Sequence, residues 1–261
     1  MDKKTIVITG STRGIGYGLA LEFLKRKHRV IINGRDEDRL KKTVKEFEEQ
    51  GFDVYGVPGD VAHESTFQSI IDQTSSRFGS IDIWINNAGI PQSQKYFYEL
   101  GSIEIESLVS VNITAVMIGT QSALRFFKQQ GYGKVFNMEG FGSDGRIMDK
   151  LSLYGTTKRA VNYFTKAVSR EVKEQNIQVG ILSPGMVRTD FLTNSASDAD
   201  PAEEERNKKV FDILSEDVDV VTQFLSNRLL RSTKKYDRIE YLSMKRLAPK
   251  LFRLMFVKHK S

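Results

Sequence analysis

The sequence predicts a single α/β domain built on a doubly wound parallel sheet. Short runs rich in Val and Ile alternate with longer amphipathic stretches, which is the pattern of parallel strands covered by helices on both faces. The chain has 261 residues, of which 39% are hydrophobic and 28% charged, and this suits one such domain with a sizeable core. No Pro-, Gly- or Ser-rich linker divides the chain, so two independent domains are not favoured.

Each predicted element follows from one of these two patterns. The apolar runs predict strands at 5–9, 29–33, 53–57, 81–85, 133–137, 177–182 and 238–242. The amphipathic stretches predict helices at 15–27, 36–50, 64–78, 103–129, 152–175 and 216–230. Because right-handed crossovers join such units, ligands are expected at the carboxyl ends of the strands. The segment 193–209 follows a strand end, and we expect it to be either a mobile lid or a plain connection.

Composition excludes several classes of function. The chain has no cysteine, so it has no disulfide or thiolate chemistry. His28, His63 and His259 are too scattered to predict a metal site. No apolar run at the start is long enough for a signal peptide, and none approaches the about 20 residues that cross a bilayer. We therefore expect a cytoplasmic protein without a bound metal.

The net charge of +6 does not predict a nucleic-acid partner, because basic residues mostly alternate with acids on solvated helix faces. The exception is the segment 244–261, which we expect to be a basic amphipathic extension of a domain at 1–243. Its apolar residues from Met244 to Met255 share one helical face. Docking on the body of the protein or on a partner subunit is favoured over peripheral contact with an anionic membrane surface, and over disorder.

A glycine-rich turn follows the first strand directly and opens the first helix. Glycines permit a tight turn there and let backbone amides approach a pyrophosphate at the positive end of the helix. The predicted cofactor-binding residues of this turn are Gly10, Ser11, Thr12, Arg13, Gly14, Ile15 and Gly16.

The end of the second strand predicts which dinucleotide binds. An acid there would bind the ribose 2′-hydroxyl of NAD(H), whereas an arginine can form paired hydrogen bonds with the 2′-phosphate of NADP(H). The residue at this point is Arg35, and Arg13 can join it, while Asp36 is expected to cap the next helix. The sequence therefore predicts NADP(H) in preference to NAD(H).

Tyr154 and Lys158 place a phenol and an ammonium four residues apart on one face of a predicted helix. A cation beside a tyrosine favours the phenolate and lowers the pKa of the phenol, which makes it a general acid–base usable near neutral pH. Taken alone, this spacing more often marks a solvated helix surface. The nucleotide-binding turn is what favours the catalytic interpretation.

Together with Asn86-Asn87-Ala88-Gly89 and Asn112, these motifs resemble the short-chain dehydrogenase/reductase family over about residues 4 to 243. The resemblance implies a Rossmann-type fold and an NADP-dependent oxidoreductase that exchanges hydride with a small-molecule carbonyl or alcohol. It implies that Tyr154 donates the proton, that Lys158 tunes Tyr154 and binds the ribose, and that Asn112 holds a relay water. The further cofactor contacts that it implies are Asp60, Val61, Asn87, Ala88, Gly89, Pro184, Gly185, Val187 and Thr189.

One position departs from the family pattern. After the strand predicted at 133–137, the family usually reads Asn-x-Ser-Ser, and the second serine donates a hydrogen bond to the substrate oxygen. In this chain, Glu139-Gly140 occupies the place of the two serines. Losing such a donor costs about 2.7–4 kcal/mol in comparable sites. Ser143 is the candidate replacement, although it suits a purely structural turn equally well. Glu139 as a catalytic acid is less favoured, because its carboxylate would repel an oxyanion.

The stretch Phe136-Asn137-Met138-Glu139-Gly140-x-Gly142-Ser143 is similar to the chlorophyll b reductase branch of the family, which reads Phe-Asn-Met-Asp-Gly-x-Gly-Ser. This resemblance implies reduction of a carbonyl, and a lipophilic or bulky substrate is expected. The rival hypothesis is a catalytically weak cofactor-binding or scaffold protein, against which the intact Tyr154–Lys158 pair argues. Apolar faces on helices 103–129 and 152–175 predict a homodimer or homotetramer.

Overall fold

The structure is a computed structural model that describes residues 2–188, 213–243, 246 and 248. Thr189, the segment 193–209 and the extension 244–261, apart from Arg246 and Ala248, therefore lie outside the described residues. The Arg246 guanidinium lies 4.3 Å from the ring centroids of both Phe224 and Tyr241. The described start of the extension thus contacts the body of the protein.

Seven parallel strands form one sheet in the order β3-β2-β1-β4-β5-β6-β7, so the predicted doubly wound fold is confirmed. The chain reverses its direction of travel across the sheet between β1 and β4, which leaves a crevice at their carboxyl ends. The strands are β1 Thr5–Ile8, β2 Arg29–Gly34, β3 Val54–Pro58, β4 Ile83–Asn86, β5 Gly133–Met138, β6 Ile177–Ser183 and β7 Arg238–Glu240.

The helices in the described residues cover both faces of this sheet. They are α1 Gly14–Lys25, α2 Glu37–Glu49, α3 Glu64–Phe78, α4 Ser102–Val109, α5 Ala115–Gln130, α6 Ser152–Glu171 and α7 Val218–Arg231. Asp36 caps α2 as predicted, because its carboxylate accepts a hydrogen bond from the Arg39 amide at 3.0 Å.

Alternate residues of the strands enter two separate cores, as expected for a sheet covered on both sides. Ile6 and Ile8 of β1 pack with residues of α1, α2 and α7. Val7, between them, packs with residues of α3, α5 and α6 on the opposite face.

The helix predicted at 103–129 is interrupted. A π-helical turn spans Ser110–Thr114 between α4 and α5, and the Ala115 amide donates to the Ser110 carbonyl. Apolar periodicity continues through this turn, so the sequence pattern does not reveal it. Turns of this kind are frequent at functional sites, and this one contains Asn112.

The same segment contradicts the expectation that no apolar stretch is long enough to cross a bilayer. Ser102–Gln130 is long and apolar enough to do so by length and composition, with a mean hydropathy of 1.3 over 18 of its residues. In the fold, α5 packs against the sheet through Ala115, Ala123 and Phe127. This packing is that of a helix that covers one face of the sheet.

Candidate active site

The glycine turn between β1 and α1 combines left-handed backbone angles with close packing, which together favour glycine. Gly10 and Gly14 have φ angles of +59° and +56°. A Cβ on Gly10 would lie 2.8 Å from the Ala88 Cα, and one on Gly16 would lie 2.4 Å from the Gly10 carbonyl oxygen. The turn therefore closes tightly against the end of β4.

Residues after β4 fix the shape of this turn. The Asn87 side chain donates to the carbonyls of Thr9 and Gly10 at 3.0 and 2.9 Å. The Thr9 hydroxyl accepts from the amides of Asn87 and Ala88 at 3.0 and 3.1 Å. The predicted proximity of Asn87 and Ala88 to the turn is thus present, and their contacts preorganise it.

The turn fits a dinucleotide pyrophosphate. The α1 N-cap, Arg13, makes no side-chain capping hydrogen bond, so the first amides of α1 are left to bind an anion. A Cβ on Gly34 would lie 2.7 Å from the Thr12 side chain, which brings the end of β2 beside the turn. Arg35 follows immediately, and both arginines are exposed.

Several predicted cofactor residues are engaged in the framework of the crevice. Ser11 is buried, donates to the Ile8 carbonyl at 2.7 Å and accepts from the Asn33 amide at 3.0 Å. The Asp60 carboxylate accepts from the Ala62 amide at 2.9 Å, and Val61 belongs to the core. Ser11 and Val61 thus shape the crevice from inside the fold.

The loop after β6 closes the crevice on the other side. Pro184 is buried, Gly185 has a φ angle of +76°, and a Cβ there would lie 2.7 Å from the Leu242 Cβ. Val187 is buried and forms a bridge with Glu216. Thr189 belongs to the part of the chain that the structure does not describe.

Tyr154 and Lys158 lie together at the start of α6, as their spacing predicts. The Lys158 Nζ lies 5.6 Å from the centroid of the Tyr154 ring and 3.4 Å from the Met138 carbonyl oxygen at the end of β5. Lys158 is only 4% exposed. A phenol and a buried ammonium thus meet at the carboxyl edge of the sheet.

Burial dominates the acid–base properties of this pair. It raises the pKa of the Tyr154 hydroxyl and lowers the pKa of Lys158 to about 8, with Glu139 opposing the second shift. The pKa of Tyr154 is therefore raised overall rather than lowered, because removal from water disfavours the phenolate, while the tuning role of Lys158 stays a prediction.

Asn112 joins the π-turn to the loop after β4. Its side chain exchanges two hydrogen bonds of 2.9 Å with the backbone of Ile90 and donates to the Thr157 hydroxyl at 3.4 Å. A Cβ on Gly89 would lie 3.3 Å from the Asn112 side chain and 3.6 Å from the Lys158 Nζ. Gly89, Asn112 and Lys158 therefore meet, while the role of Asn112 in a water relay stays a prediction.

Gln92 is a site residue that sequence reasoning missed. It is buried, and its side-chain oxygen accepts from the Tyr154 amide at 2.9 Å. This contact fixes the first turn of α6 against the loop after β4. A single glutamine in a loop has no spacing signal, so nothing in the sequence pointed to it.

Gly140 is required by the position of Tyr154. A Cβ on Gly140 would lie 2.5 Å from the Tyr154 hydroxyl oxygen and 3.4 Å from the Lys158 Cε. The phenol therefore occupies the space that a side chain at this position would need. Gly142 packs as closely, since its Cβ would lie 2.5 Å from the Gly155 Cα.

Ser143 lies in a turn that its backbone stabilises. Its amide donates to the Gly140 carbonyl at 3.2 Å, and its carbonyl accepts from Arg159 at 2.9 Å. The residue is buried. These contacts account for a structural role, and donation from its hydroxyl to a substrate stays a prediction.

Glu139 is committed to an ion pair. Its side chain is 0% exposed and accepts from the Arg238 Nε at 3.0 Å and from the Asn162 amide at 3.0 Å. This engagement argues further against Glu139 as a catalytic acid. Arg238 and Asn162 were not singled out from the sequence, since they lie on β7 and α6, far from Glu139 along the chain.

Within the described part of the chain, no group of three or more His, Asp or Glu side chains could hold a metal ion.

Comparison with known proteins identifies the family. The model of the short chain dehydrogenase family matches residues 4–200, so the chain belongs to that family. The chain is 37% identical over 229 residues to chlorophyll(ide) b reductase NOL of Oryza sativa, covering 84% of this chain and 64% of the relative. The corresponding protein of Arabidopsis thaliana is 36% identical over 226 residues, covering 84% and 63%.

These comparisons also bear on length and location. The chain spans less than two thirds of the length of these curated relatives. The expectation of a cytoplasmic protein was wrong, because both relatives are chloroplastic proteins. Among solved structures, a gluconate 5-dehydrogenase from Burkholderia cenocepacia in complex with NADP and tartrate is 27% identical with a TM-score of 0.78, covering 92% of this chain and 94% of that one.

Proposed function

We propose that this member of the short-chain dehydrogenase family is an NADPH-dependent reductase of a carbonyl group on a lipophilic or bulky substrate. One observation carries the proposal. The Tyr154 hydroxyl and the buried Lys158 lie together beside Gly140 and Gly89, at the edge of the sheet where the glycine turn opens. This arrangement joins a proton donor to a dinucleotide crevice.

Tyr154 gives its proton to the carbonyl oxygen. When bound, the nicotinamide supplies the hydride. Because burial raises the pKa of Tyr154, the phenol is fully protonated at neutral pH and ready to donate to the more basic alkoxide. The Lys158 ammonium stabilises the phenolate that remains and would also hold the ribose. Gln92 and the Thr157 hydroxyl fix the backbone of Tyr154 at 2.9 and 2.7 Å.

The exposed apolar surface beside the site supports a lipophilic substrate. Tyr96, Phe97 and Tyr98 are exposed in the loop after β4, with Tyr98 at 82%. Ile147, at 92%, and Met148 are exposed in the loop before α6. The Lys150 Nζ lies 5.2 Å from the centroid of the Tyr96 ring, so the two loops lie side by side next to the contact between Gln92 and Tyr154. The chlorophyll(ide) b reductase relatives agree with a large, apolar carbonyl substrate.

The preference for NADPH rests on Arg13 and Arg35. Both are exposed at the end of the crevice where the 2′-phosphate of NADP(H) would lie. One solved relative contains NADP and another contains NADH. They support binding of a dinucleotide, and the preference for NADPH over NADH rests on the two arginines alone.

Arg35→Ala tests the cofactor preference. We expect the Kd for NADPH to rise about tenfold or more, since one charge-assisted contact to the 2′-phosphate is lost, while the Kd for NADH is unchanged. Arg39→Ala, on the exposed face of α2, is the matched control. Equal weakening of both cofactors would contradict the preference.

Oxidation of NADPH in the presence of a panel of aldehydes and ketones of increasing apolar size tests the activity itself. We expect turnover to increase with apolar bulk near the carbonyl. The second candidate, a cofactor-binding protein without turnover, is favoured by the missing serine at Gly140, and it predicts NADPH binding without oxidation of NADPH by any member of the panel.

A further inference from the structure

A partly buried cluster of charges is centred on Glu139, the residue between Met138 and Gly140. Arg238 is bonded to Glu139, with its Nε 3.0 Å from the carboxylate, and its NH1 lies 3.0 Å from the Glu240 carboxylate. With Lys158, the cluster contains two cations and two anions. The Glu139 side chain is completely buried, while those of Arg238 and Glu240 are partly exposed.

One face of α6 contacts both Met138 and Glu139 at the end of β5. Lys158 and Asn162 lie one turn apart on the same face of α6. The Lys158 Nζ contacts the Met138 carbonyl at 3.4 Å, and Asn162 donates to the carboxylate of the next residue, Glu139, at 3.0 Å. One helical face therefore presents an ammonium and an amide to two consecutive residues at the end of β5.

Resting on the function proposed above, we propose that Glu139 is a positioning residue, whose carboxylate, fixed by Arg238 and Asn162, keeps the Lys158 ammonium charged beside Tyr154. A buried ammonium without a nearby anion tends to give up its proton. Glu139 is the group that raises the pKa of Lys158 against the effect of burial.

This inference gives Glu139-Gly140 a combined role. Gly140 leaves room for the Tyr154 hydroxyl, and the negative charge of the Glu139 carboxylate stabilises the Lys158 ammonium. A neutral Lys158 would not stabilise the phenolate that Tyr154 becomes after it donates its proton, so loss of the Glu139 charge should impair proton transfer first at high pH.

The other titratable groups near Glu139 belong to the cluster or border it. Arg238 and Glu240 face it from β7, and Lys158 faces it from α6. Tyr236, just before β7, has a buried hydroxyl without a hydrogen-bond partner among the described residues. Burial, with a further contribution from Glu139, raises the pKa of Tyr236, so this phenol stays neutral throughout the range of the test.

Glu139→Gln tests the inference, because it keeps the shape of the side chain and removes its charge. In ¹³C-lysine-labelled protein without cofactor, the Lys158 Cε signal, assigned by its loss in Lys158→Met, reports the titration directly. We expect the midpoint to fall by about one pH unit or more. In NADPH oxidation, we expect about a fivefold loss of kcat at pH 8 and little loss at pH 6. An unchanged midpoint, or an even loss of kcat at all pH values, would overturn the inference.

Two further variants keep the test decisive. Arg238→Gln should raise the titration midpoint of Lys158, because it removes a cation and leaves Glu139 to pair with Lys158. This variant tests the inference if Glu139→Gln does not fold. No upward shift would count against the inference. Glu240→Gln is the matched control, because it also removes one negative charge from the cluster. If it lowered the Lys158 midpoint as much as Glu139→Gln does, the effect would come from net charge, and the specific role of Glu139 would be overturned.

The titration also separates this inference from the proposed function. Wild-type protein that oxidises no NADPH with any carbonyl would refute the proposed function. The Lys158 midpoint in Glu139→Gln would still show whether Glu139 controls the charge of Lys158.

Discussion

Gly140 and Tyr154 lie so close that the site has no room for a side chain between them. A Cβ at Gly140 would meet the phenol oxygen at 2.5 Å, and contacts between real Cβ atoms and their neighbours essentially never fall so short. The absence of the usual serine is therefore coupled to where this phenol lies, and restoring the serine alone should not restore its hydrogen bond.

Gly140→Ser should lower activity. The serine side chain would displace the Tyr154 hydroxyl, and misplacement of a catalytic group by about 1 Å costs about 100-fold in rate. We expect kcat to fall by this order while the Kd for NADPH is unchanged. Gly101→Ser is the matched control, since a Cβ at Gly101 has no heavy atom within 4 Å. A gain in kcat would show that the site lacks only a donor.

At the scale of single residues, the sequence predicted those site residues whose spacing along the chain is itself informative. Tyr154 and Lys158 are one helical turn apart, and the glycines follow a strand directly, so both groups could be recognised in isolation. Glu139 and Arg238 could not be paired in advance, because their contact depends on β5, β6 and β7 lying side by side. Gln92 was missed for the same reason, since it contacts Tyr154 across 62 positions of the chain.

At the scale of elements, the π-turn Ser110–Thr114 is what brings the long helix to the site. It contains Asn112, whose side chain holds both backbone groups of Ile90. The predicted strands and helices are otherwise present, because alternation between short apolar runs and amphipathic stretches is a strong signal. The turn was not predicted, since its backbone hydrogen bonds change without a change in apolar periodicity.

Asn112→Ala should destabilise the protein and loosen the loop after β4. It leaves the Ile90 amide and carbonyl without their partner, and an unsatisfied buried polar group costs about 1–3 kcal/mol. Urea unfolding should show a loss of this order in the free energy of unfolding. Asn176→Ala, at an exposed position, serves as the comparison, and an equally small effect of both variants would contradict this role of Asn112.

At the scale of the whole molecule, the order of the strands determines where the site lies. The crevice at the β1–β4 reversal collects the glycine turn, the loop after β4 and the start of α6, and this could be predicted from the order of strands and helices alone. The location of the protein could not, and the cytoplasmic expectation was wrong. The homodimer or homotetramer stays a prediction, with Tyr163 of α6 exposed at 76% and available for a subunit contact.

Stability should decrease in acid because of His28. It is buried, and its Nδ1 accepts from the Lys4 amide at 3.2 Å. Burial, with Lys4 and Arg26, holds its pKa below the ordinary 6.5. At pH values between 6.5 and the lower pKa of the folded state, His28 is protonated in the unfolded chain and neutral in the folded chain. The free energy of unfolding therefore falls as the pH falls through this range, by at most about 1.4 kcal/mol per pH unit.

Urea unfolding of His28→Gln at pH 7.5 and at acid pH measures this contribution. We expect the variant to lose part of the acid dependence that the wild type shows. His63→Gln, at the exposed N-terminus of α3, should keep it. An acid dependence that is identical in the wild type and in His28→Gln would show that His28 contributes nothing to it.

In the proposed function, the Tyr154 hydroxyl donates the proton in a dinucleotide-dependent reduction. The most direct measurement is single-turnover oxidation of bound NADPH by a reactive aldehyde in the wild type and in Tyr154→Phe. We predict that the rate falls about 100-fold or more, while the Kd for NADPH is unchanged because the variant removes only the hydroxyl. A rate in Tyr154→Phe equal to that of the wild type would contradict the account.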